Sequence, residues 1–354
     1  MRSLAHVSTP TALLSVRRLL LQSRFQRALF PSAATTTTRV VVASRRSVHA
    51  EARGGFGGKN ASFYERSRPG YPSDALRAIE AEIRRHDLHG GGGGSDTSGC
   101  GGSLLVDLGC GTGKFTREIL PFARSEGLSL VGIEPVEAMR KQFEKALPGV
   151  RILDGIAEDI PLPESCARAL VAAQSFHWMA SPATLREVHR VLVPGGLFVM
   201  LWNTRDLSRP WVRAVEDIID PFYGDDVPRQ HGGPWRQSFQ DLENQSSGEK
   251  SHEEGAAQHH CHRRHHRSFF GELTEHHFRH SQLLTLDELD DRMRSISVIA
   301  TRPESERADA SRRARRLAET HWDARDELQK SGRVELAYDT EVYWCRKLDA
   351  PPPQ

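Results

Sequence analysis

An acid-tipped apolar run followed by three spaced glycines carries the first chemical signal of this chain: Leu104-Leu-Val-Asp107-Leu-Gly109-Cys110-Gly111-Thr-Gly113-Lys114. Glycine lets a backbone turn through conformations closed to other residues and lets a ligand approach it closely. Asp107 puts a carboxylate at the carboxyl end of a strand, where open α/β sheets bind their ligands. Its plainer reading is a structural acid that bonds the loop amides. A phosphate-cradling P-loop is rejected, because Leu108 stands at its first glycine and Phe115 stands where Ser or Thr must follow Gly113-Lys114. A dinucleotide loop wants glycine at 109, 111 and 114, and Lys114 takes the third place, which weakens a nicotinamide cofactor without removing it. Glu134 ends the next apolar run, 21 residues after Gly113, where a carboxylate accepts both ribose hydroxyls of a bound nucleoside. The loop favours a ligand with a nucleoside but no phosphate, and S-adenosylmethionine is of that kind.

Further stretches bear on the same site. Gly155-Ile-Ala157-Glu158-Asp159-Ile-Pro161-Leu-Pro163 follows the third apolar run, Ala172-Ala-Gln174-Ser175-Phe176-His177-Trp178 the fourth, and Pro194-Gly195-Gly196 opens the fifth. Upstream lies Tyr64-Glu-Arg-Ser-Arg68-Pro69-Gly-Tyr71-Pro72, and near the end Tyr338-Asp-Thr340-Glu-Val342-Tyr343-Trp344-Cys345. In this order and spacing the chain resembles the class I S-adenosylmethionine-dependent methyltransferases, in particular the type 11 methyltransferase domain of trans-aconitate methyltransferase-like and ubiquinone-pathway C-methyltransferase-like proteins. The resemblance covers roughly residues 56–223 and 269–348. It implies S-adenosylmethionine as cofactor, S-adenosylhomocysteine as product, and cofactor-binding roles for Asp107, Gly109, Cys110, Gly111, Gly113, Glu134, Pro135, Ala157, Glu158 and Gln174. Tyr64 and Arg68 join them from the N-terminal cap, and His177 and Trp178 border the substrate. His177 offers a base for an acidic hydroxyl, enol or amine, or else a hydrogen-bonded wall. In-line methyl transfer needs mainly alignment and exclusion of water, so it does not require a protein base. Tyr64, Trp178 and Trp202 either offer ring faces to a sulfonium or simply pack.

Apolar strand-like runs at Leu104–Leu108, Ser129–Ile133, Val150–Leu153, Ala169–Ala173 and Leu197–Trp202 must position these residues. Their alternation with helical stretches predicts an α/β fold: a doubly wound, mostly parallel, Rossmann-like seven-stranded sheet whose last strand pair is antiparallel. Val136, Met139, Phe143 and Ala146 form one apolar helical stripe. A leader is expected over 1–50, a cofactor-binding core over 51–202 with a flexible Gly-rich insert at 90–102, and a tail over 349–354. Residues 203–348 hold a helical lid and the last two strands, with helices predicted at Leu286–Ile299 and Glu304–Thr320 and a disordered His-rich insert at about 240–268. Nine of the 17 histidines lie between 252 and 280. Adjacent ligands flanked by arginine in a low-complexity run do not suit a zinc site, and no metal is expected.

The whole chain carries 48 Lys+Arg against 46 Asp+Glu. That balance argues against nucleic acid or an anionic membrane surface as partner, and the longest apolar run, Ala12–Leu21, is cut by Arg17 and Arg18. Five cysteines with no CxxC spacing argue against a disulfide framework. The first fifty residues hold eight Arg and no acid, the composition of an organelle transit peptide, which predicts a mitochondrial address with plastid or cytoplasm as alternatives. The expected activity is methyl transfer to a small molecule. A nicotinamide oxidoreductase and a methyltransferase-like scaffold without turnover are the alternatives.

Overall fold

The computed structural model describes residues 67–88, 102–224, 227–228, 233–247 and 269–348. The leader, Tyr64, the Gly-rich run up to residue 101, the histidine-rich run from 248 to 268 and the tail lie outside the described residues.

All five residues of β1 (Leu104–Leu108) are buried, as an uninterrupted apolar run with both faces covered should be. It pairs in parallel with β2 (Ser129–Ile133) on one side and with β4 (Ala167–Ala173) on the other. β3 (Arg151–Leu153) extends the sheet beyond β2, and β5 (Leu192–Arg205) lies in parallel beside β4. The last strand, β7 (Val334–Arg346), runs antiparallel between β5 and β6 (Thr274–Leu284), so the order is β3-β2-β1-β4-β5-β7-β6. The order reverses between β1 and β4, and a crevice opens there at the carboxyl ends of the strands. The fold is the predicted doubly wound, mostly parallel seven-stranded sheet with its antiparallel last pair.

Helices cover both faces. On one, Ile79 and Ile83 of α1 (Ser73–Leu88) and Ile119 and Phe122 of α2 (Lys114–Ser125) pack on Leu105, Val171 and Val199. α3 (Glu137–Ala146) buries Met139 and Phe143. Ala146 of the predicted stripe is exposed instead, and Leu147, one residue further round, is buried in its place. α4 (Pro182–Val191) starts at a Ser181 side chain that caps the Thr184 amide.

The lid has its own core. α5 (Pro210–Ile219), α7 (Leu286–Arg294), α9 (Glu304–Thr320) and α10 (Trp322–Ser331) gather around Trp211, Leu289, Met293 and Tyr338. Thr285 and Glu288 close a reciprocal capping box at the start of α7. The single helix predicted over Leu286–Ile299 is two, α7 and α8 (Ser297–Ala300), because the Ser295 carbonyl accepts from Arg68 Nη2 at 3.0 Å and the Ser295 hydroxyl turns back on the Arg292 carbonyl at 2.7 Å. The predicted disorder from about residue 240 is also corrected over its first part. α6 (Gln237–Ser247) is helical there, with Leu242 buried. Among the described residues no helix is long and apolar enough to cross a membrane.

Trp211 is fully buried, and its indole N–H donates to the Glu335 carbonyl at 3.0 Å, tying α5 to β7. Trp211→Ala is expected to cost about 3–5 kcal/mol through the cavity and the orphaned carbonyl, read as a lower urea midpoint.

Candidate functional site

The glycine loop leaves β1 and turns into α2. Gly109, Gly111 and Gly113 all have positive φ. At Gly109 a Cβ would stand 2.8 Å from the Ser175 Cβ, and at Gly113 it would stand 2.6 Å from Leu147 Cδ1, so both positions exclude any side chain. At Gly111 a Cβ would meet nothing within 4 Å, so this loop face is open. The Cys110 carbonyl accepts from the Gly113 amide at 2.9 Å, and the Cys110 thiol is buried inward, pushed well above its ordinary pKa by desolvation.

Glu134 stands beside this open face. Its Oε2 accepts from the Gly111 amide at 3.0 Å and its Oε1 from the Val136 amide at 2.9 Å, with Pro135 in the bend between. Each carboxylate oxygen keeps a lone pair for a further donor. Burial raises the Glu134 pKa, and the two amides oppose that rise. Asp107 is 1% exposed; its Oδ2 accepts from Thr116 Oγ1 at 2.5 Å, while its Oδ1 is buried with no hydrogen-bond partner among the described residues. Desolvation lifts its pKa to about 7.

Ala157 and Glu158 occupy the two central positions of a tight turn after β3, closed by an Ile156–Asp159 bridge. Ala157 is buried and Glu158 half-buried. After β4, Gln174 holds the left-handed conformation at φ 59°, rare for a residue with a side chain, while its amide donates to the Leu201 carbonyl at 2.8 Å. The Ser175 hydroxyl donates to the Leu108 carbonyl at 2.8 Å, which binds this turn to the glycine loop.

Next to that turn is a polar pocket lined by Gln174, His177, Asn203, Arg68, Arg205 and Arg292, with Trp178 on its wall. The indole N–H of fully buried Trp202 donates to His177 Nδ1 at 3.0 Å. An indole is only a donor, so His177 Nδ1 is unprotonated and Nε2 carries the hydrogen. Desolvation, and then the Arg68 charge, push the His177 pKa down to about 3. His177 is therefore a neutral donor at physiological pH, with its accepting nitrogen already used. Trp202 packs on Trp235 and Tyr343, so its ring serves to hold His177.

Residues 106–200 match the sequence family described as methyltransferase domain. This chain carries a methyltransferase domain. The chain is 36% identical over 163 residues to an uncharacterized methyltransferase of Mycobacterium tuberculosis, a stretch that is 46% of this chain and 58% of that relative's length. It is 28% identical over 288 residues to an uncharacterized methyltransferase-like protein of Schizosaccharomyces pombe, covering 81% of this chain and 93% of the relative. Among solved structures, the YcgJ protein of Bacillus subtilis aligns with a TM-score of 0.40 at 17% identity, over 70% of this chain and 93% of that one.

Within the methyltransferase domain, β1, β2 and β4 bring Asp107, the glycine loop, Glu134, Pro135 and Gln174 to one end of the sheet. Ala157 and Glu158 hold the turn after β3. Arg68 stands across the polar pocket from His177, donating to the Ser295 carbonyl, and Tyr64 is outside the described residues. Among the described residues no group of three or more His, Cys, Asp or Glu could hold a metal ion, and the histidine run at 259–266 lies outside them. Sequence reasoning missed Arg205 and Arg292. Arg292 had a signal: it shares the core-facing stripe of Leu289, Met293 and Ile296, where a charge is out of place.

The raised Asp107 pKa sets a pH dependence. Between about pH 4 and pH 7 the folded chain keeps a proton on Asp107 that the unfolded chain, titrating near 3.8, has released. This group therefore costs stability as pH rises through that window. Asp107→Asn should flatten that segment of the stability curve, measured as urea midpoints across pH without ligand.

Proposed function

We propose that this methyltransferase domain moves the methyl group of S-adenosylmethionine to a small-molecule acceptor. One observation carries the reading: an open glycine face at Gly111 lies near an anchored carboxylate, Glu134, and a buried carboxylate oxygen, Asp107 Oδ1, that no group among the described residues satisfies. That donor-hungry cradle fits a ligand with vicinal hydroxyls and an ammonium group and offers nothing to a phosphate. Lys114, half-buried at the start of α2, fills the position where a dinucleotide fold needs glycine against pyrophosphate.

Glu134 would take the ribose hydroxyls, Asp107 and the loop amides the amino-acid end, and the Ala157–Glu158 turn the edge of the base. When bound, the cofactor supplies an electrophilic methyl on a sulfonium. The chain's own part is to orient the acceptor, exclude water and donate the His177 Nε2–H to an acceptor oxygen. Neutral His177 withdraws no proton, so the acceptor must be nucleophilic without a base at this position. The Arg-rich leader supports a mitochondrial address as part of the same proposal, checked by microscopy of the tagged full chain.

Calorimetric titration of the full chain with S-adenosylhomocysteine, with NADH as control, tests the cofactor. Saturable binding of the adenosyl ligand, weakened about ten- to hundredfold by Glu134→Ala through loss of hydrogen bonds to a charged group, is the expected result. NADH binding alone would return the site to oxidoreductase chemistry. Adenosyl binding without labelled methyl transfer in any extract would leave a scaffold.

A further inference from the structure

Two arginines grip the stretch after β3 that carries Ala157 and Glu158. On its near flank, Arg140 of α3 donates Nη1 and Nη2 to the two Asp154 carboxylate oxygens, each at 3.0 Å, and Nη1 also to the Glu134 carbonyl at 2.7 Å. On its far flank stand Glu187 and Arg190, three residues apart on α4. The Ile160 amide donates to Glu187 Oε2 at 2.9 Å. Arg190 completes the tie, with Nη2 on the Ile160 carbonyl at 2.9 Å and Nη1 on the Leu162 carbonyl at 2.8 Å. The two side chains also bond each other, Nε to Oε1 at 2.7 Å and Nη2 to Oε2 at 2.6 Å.

An ion pair at this helical spacing adds little stability by itself. Here it presents one acceptor and two donors to the main chain of Ile160 and Leu162, the service a neighbouring strand would give. Burial works against the Glu187 charge, but the hydrogen bonds from Arg190 and the Ile160 amide, with the Arg190 charge, hold its carboxyl below the usual range. The pair therefore stays ionised at neutral pH. The turn is closed on itself as well: a Cβ on Gly155 would stand 2.6 Å from Pro161 Cδ, and Ile156 bridges Asp159. The turn thus has a set shape, and the pair on α4 sets where that shape stands.

We propose that Glu187 and Arg190 are positioning residues for the base of the cofactor, holding the Ala157–Glu158 turn closely enough to tell adenine from hypoxanthine. This rests on the S-adenosylmethionine reading of the same crevice, in which neither residue is itself a ligand group. An adenine edge offers a ring-nitrogen acceptor beside an amino donor, and a hypoxanthine edge reverses both. Rejecting the reversed edge needs polar groups that cannot turn to follow it. The competing role is to fasten α4 to the start of β4, where the Ser165 and Cys166 amides already donate to the Arg190 and Val191 carbonyls at 2.8 and 2.9 Å.

The test is calorimetric titration of the full chain with S-adenosylhomocysteine and with S-inosylhomocysteine, which differ only in that edge. The unaltered chain should favour the adenosyl ligand by about tenfold or more. Arg190→Met should weaken the adenosyl ligand about tenfold and the inosyl ligand much less, so that the preference collapses. Arg190→Lys, which can still reach one carbonyl, should recover part of it. Glu187→Gln keeps an acceptor for the Ile160 amide but loses the charge, and should give a smaller fall. No preference in the unaltered chain, or equal weakening of both ligands by Arg190→Met, as lost stability alone would give, would overturn the proposal. If Arg190→Met does not fold, Arg190→Lys and Glu187→Gln decide, and an unchanged preference in both overturns it. Absence of S-adenosylhomocysteine binding by the unaltered chain is a separate outcome, which removes the cofactor reading and this proposal with it.

Discussion

Two backbone amides on one carboxylate hold the crevice in shape. Glu134 takes the Gly111 N–H on one oxygen and the Val136 N–H on the other, so the loop after β1 and the turn after β2 share a single anchor. Gly109 and Cys110 add amide bonds to the Ile133 carbonyl at 2.8 and 3.1 Å from the same strand end. With those ends locked, the glycine loop needs no ligand to define its path. The close approaches at Gly109 and Gly113 then follow, as does the packing of Phe143 and Leu147 beneath the loop. A carboxylate used in this way is a structural tie that still has capacity for a ligand. The two roles are compatible because each oxygen has a second lone pair.

The opposite wall is built on a different principle. Trp202 is sealed among aromatic rings and spends its only polar atom on His177 Nδ1. A donor-only partner fixes a tautomer without charging the ring, whereas a carboxylate in the same place would have favoured the imidazolium. The crevice thus places carboxylates on the glycine-loop side and guanidiniums with a neutral imidazole on the opposite side.

The sheet was legible because β1, β2, β4 and β5 are buried on both faces and so read as continuous apolar runs, and because the connecting helices carry one apolar stripe each. The glycine-loop side was legible for a related reason. A loop that must turn tightly and leave room for a ligand has few residue choices, and those choices stay close together in the chain. The pocket beside His177 had no such constraint. Arg68, Arg205 and Arg292 come from three distant segments, and Arg292 follows two aspartates in a helix that looks solvated throughout. Only the stripe position of Arg292 betrays it. The break between α7 and α8 was invisible in sequence, since its cause is a carbonyl turned toward Arg68, more than two hundred residues away. α6 was hidden by a polar composition that does not resemble a helix with a buried side.

The position of β7 has a consequence for how the molecule is assembled. Arg205 at the end of β5 sits opposite Tyr338 of β7, so the chain leaves the sheet and returns to it on one rung of the ladder. The lid helices, Arg292 and β6 lie in the closed loop between the two strands, whereas Arg68, Gln174 and His177 of the same pocket precede them. β6 cannot join the sheet until β7 lies between it and β5, so completion of the sheet waits on contacts between distant segments. The glycine-loop half, built from contacts that close early, faces no such delay. Changes inside the loop can remodel what the pocket accepts without disturbing the strands that hold the glycine turn.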